Sequence, residues 1–342
     1  MADGPVHLPP APRDAIAPSG EPRFGAYAGS LDRVELLRAA PVGRVQGVLR
    51  RKRWVYVFAA NEEAMIAAAV VEAGWFAAGF AWVLDRTLGT LAVDLSGAGL
   101  PGLNARVNDQ PGVGARARFS GLGLTIDVKQ DEERWELGIV GRNGFRAEVL
   151  LESRGAPAPF SLVTPVAGPG VRATQKAGAL SASGTVLLGG RTLLLDGGTG
   201  GVDSTHGFLA RETGWRWAFG TGRLPGGAPI AFNLAEGFGG VPEGDAGENA
   251  LFRSYETSRL PPVAFTFDRE QLRAPWRVAS ADGSVDLTFT PAALHREVKN
   301  LGVLRTRFAQ LPGVFHGTLP GAGGPVTIDA LPGVVEDHWA LW

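Results

Sequence analysis

Cysteine is absent from this chain of 342 residues. Its absence excludes disulfides, thiolate nucleophiles and thiolate-ligated metals together, and leaves both redox compartments open. Methionine is scarce, with 2 residues against 17 Phe and 9 Trp, so the apolar complement is aromatic and β-branched. Net charge is missing too: 33 basic and 34 acidic residues give −1 at pH 7. That balance provides no global field for nucleic acid or an anionic membrane. Motifs are also lacking. No G-x-S-x-G elbow occurs, so "DSTH" (203–206) is no hydrolase triad, whose members converge in space rather than crowd four positions. The five histidines, His7, His206, His295, His316 and His338, form no H-E-x-x-H and no close pair, so no metal is expected. "GGTGG" (197–201) lacks the Lys-Ser/Thr of a phosphate loop and reads as a turn. No nucleotide or redox cofactor is expected.

The first 24 residues hold five prolines before residue 20 and no basic segment followed by an apolar one. They read as a flexible or extended tail without a secretory signal, and the expected location is the cytoplasm. One apolar run, "AMIAAAVVEAGWFAAGFAWVL" from Ala64 to Leu84, has the length of a membrane helix and a single charge, Glu72. Its parity argues otherwise. Phe76, Phe80, Trp82 and Leu84 share one parity, while Ala77, Gly79, Ala81 and Val83 take the other. Large against small at period 2 predicts two strands joined at "EAGW", with no transmembrane segment.

The remaining sequence follows the same rhythm. "RWVYVFAA" alternates Trp54, Tyr56 and Phe58 against Val55 and Val57, and "SGTVLLGGRTLLLDGG" predicts a hairpin turning at Gly189-Gly190. Glycine (49 residues) and proline (24) fall between apolar runs, where turns belong. Helical signals are confined to Ser30–Ala40 and the terminal "VVEDHWALW". Fifteen or more short strands predict an all-β protein of sandwich or barrel type. The proline-rich stretch 154–170 is the best linker, giving a tail over 1–24, a first β-domain over 25–160 and a second over 161–342.

The densest chemistry lies in "GVDSTHGFLARETGWRWAFGTGRL" (201–224). Trp215, Trp217 and Phe219 share one parity, an aromatic stripe that either packs a core or lines an apolar cavity. Asp203 and His206 differ in parity and meet only if the glycine-rich approach bends the strand; meeting, they would form an acid–base pair. Otherwise they make a polar corner. In "PIAFNLAEGF", Glu236 shares parity with Ile230, Phe232, Leu234 and Phe238, so a cavity there would raise its pKa and make it a proton donor. Asn233 lies on the opposite parity. Glu248 and Asn249 follow a glycine-rich loop that could deliver them to a barrel mouth, or could simply cap that loop. Trp54 and Trp82 complete the candidate ligand-binding set. "RRKRW" (50–54) stands alone as a basic run, fit for an anionic head group at a barrel entrance or for solvating an edge strand. Glu336, Asp337 and His338 read as a solvated helix end.

These segments, with "RRKRWVYVFAANEEAMIAAAVVEAGWFAAGFAWVLDR", "IAFNLAEGF", "ENALF", "APWRV", "VDLTFTP" and "VTIDALPGVVEDHWALW", resemble the DUF2804 family in order from about residue 44 onward. More distantly, Asp203, His206, Gly207 and Trp215-Arg216-Trp217 resemble the central motif of the carotenoid 1,2-hydratase and AttH group. The motif departs from that group, which places its His beside the Asp and follows it with Trp-Gly. The resemblance implies two consecutive lipocalin-like antiparallel β-barrels around an apolar cavity. Two functions fit: a cofactor-independent hydratase/lyase, isomerase or cyclase acting on a hydrophobic small molecule through Asp203, His206 or Glu236, and a non-catalytic carrier of a lipid or other apolar ligand. Oligomeric state is not legible.

Overall fold

The computed structural model describes residues 8–39, 43–167, 170–238, 247–300, 302, 304–321 and 324–342. Nearly all of its regular structure is antiparallel sheet. The first sheet contains β1 (Gly25–Ala28), β2 (Lys52–Ala60), β3 (Ala64–Ala73), β4 (Phe76–Asp85), β5 (Thr90–Gly99), β6 (Ala105–Val107), β7 (Arg116–Gly121), β8 (Leu124–Asp131), β9 (Arg134–Gly141), β10 (Arg146–Glu152), β11 (Phe160–Val166), β12 (Gly170–Leu188), β13 (Arg191–Leu194) and β14 (Gly198–Gly207). Its main path runs β5-β4-β3-β2-β14-β12-β10-β9-β8-β7-β6. The second sheet contains β15 (Glu212–Arg223), β16 (Pro229–Gly237), β17 (Ala250–Arg253), β18 (Glu256–Arg259), β19 (Val263–Thr266), β20 (Trp276–Ser280), β21 (Asp286–Pro291), β22 (His295–Asn300), β23 (Arg305–Leu319) and β24 (Val326–Leu341). Its path is β18-β17-β16-β15-β24-β23-β21-β20-β19. The two form consecutive barrel or half-barrel units, as the strand rhythm implies.

Each sheet curls around its own apolar core. In the first, Val55, Val57, Ala77, Ala81, Val83, Phe119 and Ile126 are among the inward residues; in the second, Ile230, Phe232, Leu234, Trp276, Phe289 and Phe315 are. A third cluster fills the seam between sheets, where Trp54, Tyr56, Phe58, Phe80 and Trp82 meet Trp215, Trp217, Phe219 and Val334. The apolar run 64–84 forms β3 and β4, turning at Gly74 and Trp75. Its hydropathy comes from having both faces covered: Ala77, Ala81 and Val83 enter the barrel core, while Phe80 and Trp82 enter the seam. No helix among the described residues is long and apolar enough to cross a membrane.

The hairpin at Gly189-Gly190 forms between β12 and β13. Other local expectations give way to packing. Among the described residues of the Ser30–Ala40 segment there is only a 3-10 turn, Leu36–Ala39, because Leu31, Val34 and Leu36 are buried beside Val163 and Val171 of the first sheet. Among the described residues the one short α-helix, α1, is Arg44–Arg50. Residues 8–24 are docked rather than loose, with Leu8, Ala15 and Ile16 buried; residues 1–7 lie outside the described residues. "VVEDHWALW" is the end of β24, paired with both β15 and β23. Within the 154–170 stretch, residues 160–166 form β11 and pair with β12 inside the first sheet, and the passage between sheets falls at 208–211. Pro159 precedes β11, and Pro165 lies near its end, beyond its pairing with β1.

In "GGTGG" only Gly197, with φ +70°, belongs to a turn. The later glycines are in β14, where backbone or side chains come too close for a Cβ. At Gly201 an added Cβ would lie 2.3 Å from Phe219 Cζ and 2.5 Å from the Ala177 carbonyl oxygen.

Candidate active site

The seam is built in layers set by strand register. Across it, β2 presents Phe58, Tyr56 and Trp54 to Phe219, Trp217 and Trp215 of β15. Ring centroids in these three pairs lie 5.8, 5.2 and 5.8 Å apart. On β15's neighbour β24, Val334, Glu336 and His338 pair with the same three β15 residues. On β2's neighbour β14, Asp203 pairs with Tyr56. The Tyr56 layer therefore holds two carboxyl groups, Asp203 and Glu336, from opposite sheets.

Between these layers lies a cavity whose space for the centre of a water-sized sphere is about 80 Å3. Trp54, Tyr56, Phe80, Trp215, Trp217 and Phe308 give it an aromatic wall, and Asp203, Glu248, Glu336 and His338 supply its polar groups. Phe238 stacks on Trp215 at 4.5 Å between centroids, with the Arg172 guanidinium 4.0 Å from the Phe238 ring centroid.

Glu336 is buried among rings. Its Oε1 accepts from Trp215 Nε1 at 2.7 Å, and its Oε2 accepts from Gln310 Nε2 at 2.9 Å. The Gln310 amide is itself oriented from the first sheet, since its Oε1 accepts from Trp82 Nε1 at 2.8 Å and from the Tyr56 hydroxyl at 3.3 Å. Burial dominates, helped by the Asp203 charge, and holds the Glu336 carboxyl up at about 7 despite both hydrogen bonds. Two residues along, His338 Nε2 lies 3.1 Å from Thr306 Oγ1, while its Nδ1 has no hydrogen-bond partner and is 3.9 Å from Glu336 Oε1. Burial, with Lys299 nearby, lowers the imidazole to about 3, so it is neutral at pH 7. A protonatable acid and a neutral imidazole thus share one apolar cavity.

Asp203 is the other carboxylate. Its Oδ1 accepts from Lys176 Nζ at 2.7 Å and Thr205 Oγ1 at 2.9 Å, and its Oδ2 accepts from Trp54 Nε1 at 3.2 Å. Behind it, Glu248 lies 3.1 Å from Arg172 and 3.5 Å from Lys176, all three buried. These two acids and two bases form a closed set of opposite charges on the cavity's flank.

Of the residues singled out from sequence, Asp203, Trp54, Trp215, Trp217 and Glu248 line this cavity. Phe219 and Asn233 lie deeper, beside Tyr56 and Gly201. Asn233 Oδ1 accepts from Trp217 Nε1 at 2.7 Å and its Nδ2 donates to the Glu248 carbonyl at 2.9 Å, so it positions two wall residues. Trp82 is fully buried behind Gln310. Asn249 ties strands together, accepting from Ala235 N and donating to the Pro261 carbonyl.

His206 and Glu236 are not brought to the cavity. Strand β14 keeps continuous register with β2 through this region, so no bulge turns His206 toward Asp203. The imidazole lies on the opposite face near Ser204, at 3.4 Å, and burial together with Arg53 and Arg51 pushes its pKa well below 6.5. Glu236 keeps the parity of Ile230, Phe232 and Leu234, but that face belongs to the second sheet's own core; its Oε2 accepts from Phe265 N at 3.2 Å. Phe238 parts from that face because Gly237 (φ +103°) and Phe238 (φ +61°) turn the chain into the seam.

Glu336 and His338 were hidden by the helix-end reading of "EDHW". The available signal was period 2: Val334, Glu336, His338 and Ala340 share a parity. Yet Asp337 and Trp339 give the other parity an acid and an aromatic as well, so the sequence does not say which row turns inward. Among the described residues, no three His, Cys, Asp or Glu side chains form a group able to hold a metal ion.

The fold and cavity define a class: paired antiparallel barrels with an acid-bearing aromatic cavity between them. Within that class, the chain belongs to the family described as a domain of unknown function, DUF2804, whose profile matches residues 10–342. No curated protein matches it. Among solved structures it is similar to CghA, at 14% identity and TM-score 0.54 over 96% of this chain and 97% of that one. A protein assigned to AttH from Nitrosomonas europaea matches at 13% identity and TM-score 0.51, over 85% and 92%. Kievitone hydratase from Nectria haematococca gives 14% and 0.46, over 84% and 88%. At these identities the likeness is one of fold.

Proposed function

We propose that the protein is a cofactor-independent acid–base enzyme, of hydratase/lyase, isomerase or cyclase type, acting on a hydrophobic small molecule in the seam cavity. The observation that carries this reading is the Glu336 carboxyl, raised to about 7 in an aromatic cavity and 3.9 Å from an unpartnered imidazole nitrogen. Two titratable neighbours pushed in opposite directions are suited to complementary proton-transfer roles.

In the hydration direction, the π pair of a substrate double bond takes the Glu336 proton, forming a C–H bond and leaving a glutamate carboxylate and a carbocation. The ring faces of Trp54, Trp215 and Trp217 stabilise the developing positive charge. A water oxygen adds its lone pair to the cation, and the water's extra proton returns to Glu336, directly or through His338 Nδ1. Elimination is the reverse. Loss of a different carbon-bound proton gives isomerisation, and capture by a second double bond followed by proton loss gives cyclisation. Asp203, held by Lys176, acts through its charge, which favours the protonated form of Glu336.

The test begins with native mass spectrometry of protein from its own host to identify a co-purifying ligand, which is then incubated with enzyme in D2O. Wild type should place solvent deuterium on carbon. Glu336→Gln should lose that exchange by at least 100-fold while retaining the ligand, a loss in the range of general acid catalysis. Equal incorporation by both proteins removes Glu336 from the mechanism. A ligand recovered unchanged from both supports the carrier function instead.

A further inference from the structure

The outer end of the seam holds a cation without a counter-ion among the described residues. Lys52 shares the β2 face of Trp54 and Tyr56, one layer beyond Trp54. It pairs with Gly207 of β14 and Ala73 of β3. Its ammonium stands 5.6 Å from the ring centroid of Trp342, which lines the cavity. Only 5% of Lys52 is exposed.

Its hydrogen bonding is incomplete. Lys52 Nζ donates to the Arg50 carbonyl at 2.9 Å, leaving further N–H donors available. No carboxylate pairs with it among the described residues; Glu72 and Asp109 are paired instead with Arg51 and Arg53. Burial, with the charges of Arg50 and Arg211, lowers it only to about 8, so it stays an ammonium at neutral pH. A buried cation without an anion is costly, and such a group next to an apolar cavity implies a negatively charged ligand. One compact ammonium beside one carbonyl matches a singly charged carboxylate better than a phosphate dianion.

The register also sets a length. From Lys52 to Tyr56, whose layer contains Glu336, is four residues along one strand, or about 13 Å. We infer that the seam takes a long-chain unsaturated carboxylic acid, with its carboxylate on Lys52 and its double bond on the order of 10 Å deeper, beside Glu336. The position of the double bond rests on the proton-donor reading of Glu336; the carboxylate site does not.

The probes are cis-9-hexadecenoic acid, its methyl ester and the corresponding alcohol, titrated calorimetrically into the full-length protein at pH 7 below their aggregation limits. Wild type should bind the acid at least 10-fold more tightly than either neutral analogue. Lys52→Met should bring the three within about 2-fold, and Lys52→Arg should retain the preference. If Lys52→Met does not fold, Lys52→Gln keeps a donor on the Arg50 carbonyl without the charge and carries the same comparison. Absence of acid binding, equal binding of acid and ester by wild type, or a preference that survives loss of the charge overturns the inference. Turnover is read separately from 18O uptake out of labelled water. Selective acid binding without product leaves the carboxylate site standing and counts against the proton-donor reading. Product formed from ester and acid alike does the opposite.

Discussion

At the scale of single residues, Glu336 and His338 give the molecule opposing pH dependences. Glu336 titrates near 7 in the folded chain against 4.5 for an ordinary glutamate. The folded state therefore binds more protons between those values, and its stability falls as pH rises through that window. His338 behaves inversely: its folded value of about 3 lies below 6.5, so the unfolded state binds more protons between them and stability rises with pH there. At about 1.4 kcal/mol per pH unit, each contribution is a few kcal/mol. Chemical denaturation from pH 4 to 9 should accordingly show Glu336→Gln gaining up to about 3 kcal/mol on wild type above pH 7, with little difference below pH 5. His338→Gln should lessen the acid-side loss. Asp203→Asn offers a separate check, because the Asp203 charge helps raise Glu336. The Glu336 carboxyl should then titrate lower, observable by 13C NMR or as a downward move of the alkaline limb of a pH–rate profile. An unmoved titration would show that Asp203 does not influence the acid.

At the scale of elements, legibility follows from how many faces of a strand are distinctive. The run 64–84 was readable because large and small residues separate by parity, and the Gly189-Gly190 hairpin because two-residue turns have a strong signature. The end of β24 was not, since both of its parities mix acid, aromatic and aliphatic residues. Parity also placed Glu236 correctly beside Ile230, Phe232 and Leu234, but a single strand does not reveal which of two cores its face will meet. The glycines of 197–201 show the same limit: their role is fixed by neighbours distant in sequence. Gly201→Ala tests that role. Its Cβ would meet a backbone carbonyl as well as the Phe219 ring, and backbone in a paired sheet has little room to yield. The expected loss is about 1–3 kcal/mol in chemical denaturation, with a changed near-UV circular dichroism spectrum from the displaced seam aromatics. An unaltered stability would show that β14 and β15 can move apart without cost.

At the scale of the whole molecule, the seam is expected to make two sheets into one folding unit. Trp54, Tyr56, Phe58, Trp215, Trp217 and Phe219 bury their faces against the opposite sheet, and Gln310 carries hydrogen bonding from Trp82 and Tyr56 across to Glu336. With each aromatic burying 150–250 Å2, separation would expose on the order of 1,000 Å2 of apolar surface, above the patches that soluble monomers tolerate. It would also strand the Trp82, Tyr56 and Gln310 polar groups that the seam satisfies. The proposed proton donor depends on the same closure, because the burial that lifts Glu336 to about 7 is supplied by both sheets. Far-UV circular dichroism, near-UV circular dichroism and tryptophan fluorescence should therefore report a single coincident unfolding transition. Division at 209/210, between the sheets, should yield two fragments that do not fold alone but regain the seam's near-UV signal when co-expressed. A monomeric, cooperatively folding 210–342 fragment would instead show that the second sheet is complete by itself and that the seam is a docking contact.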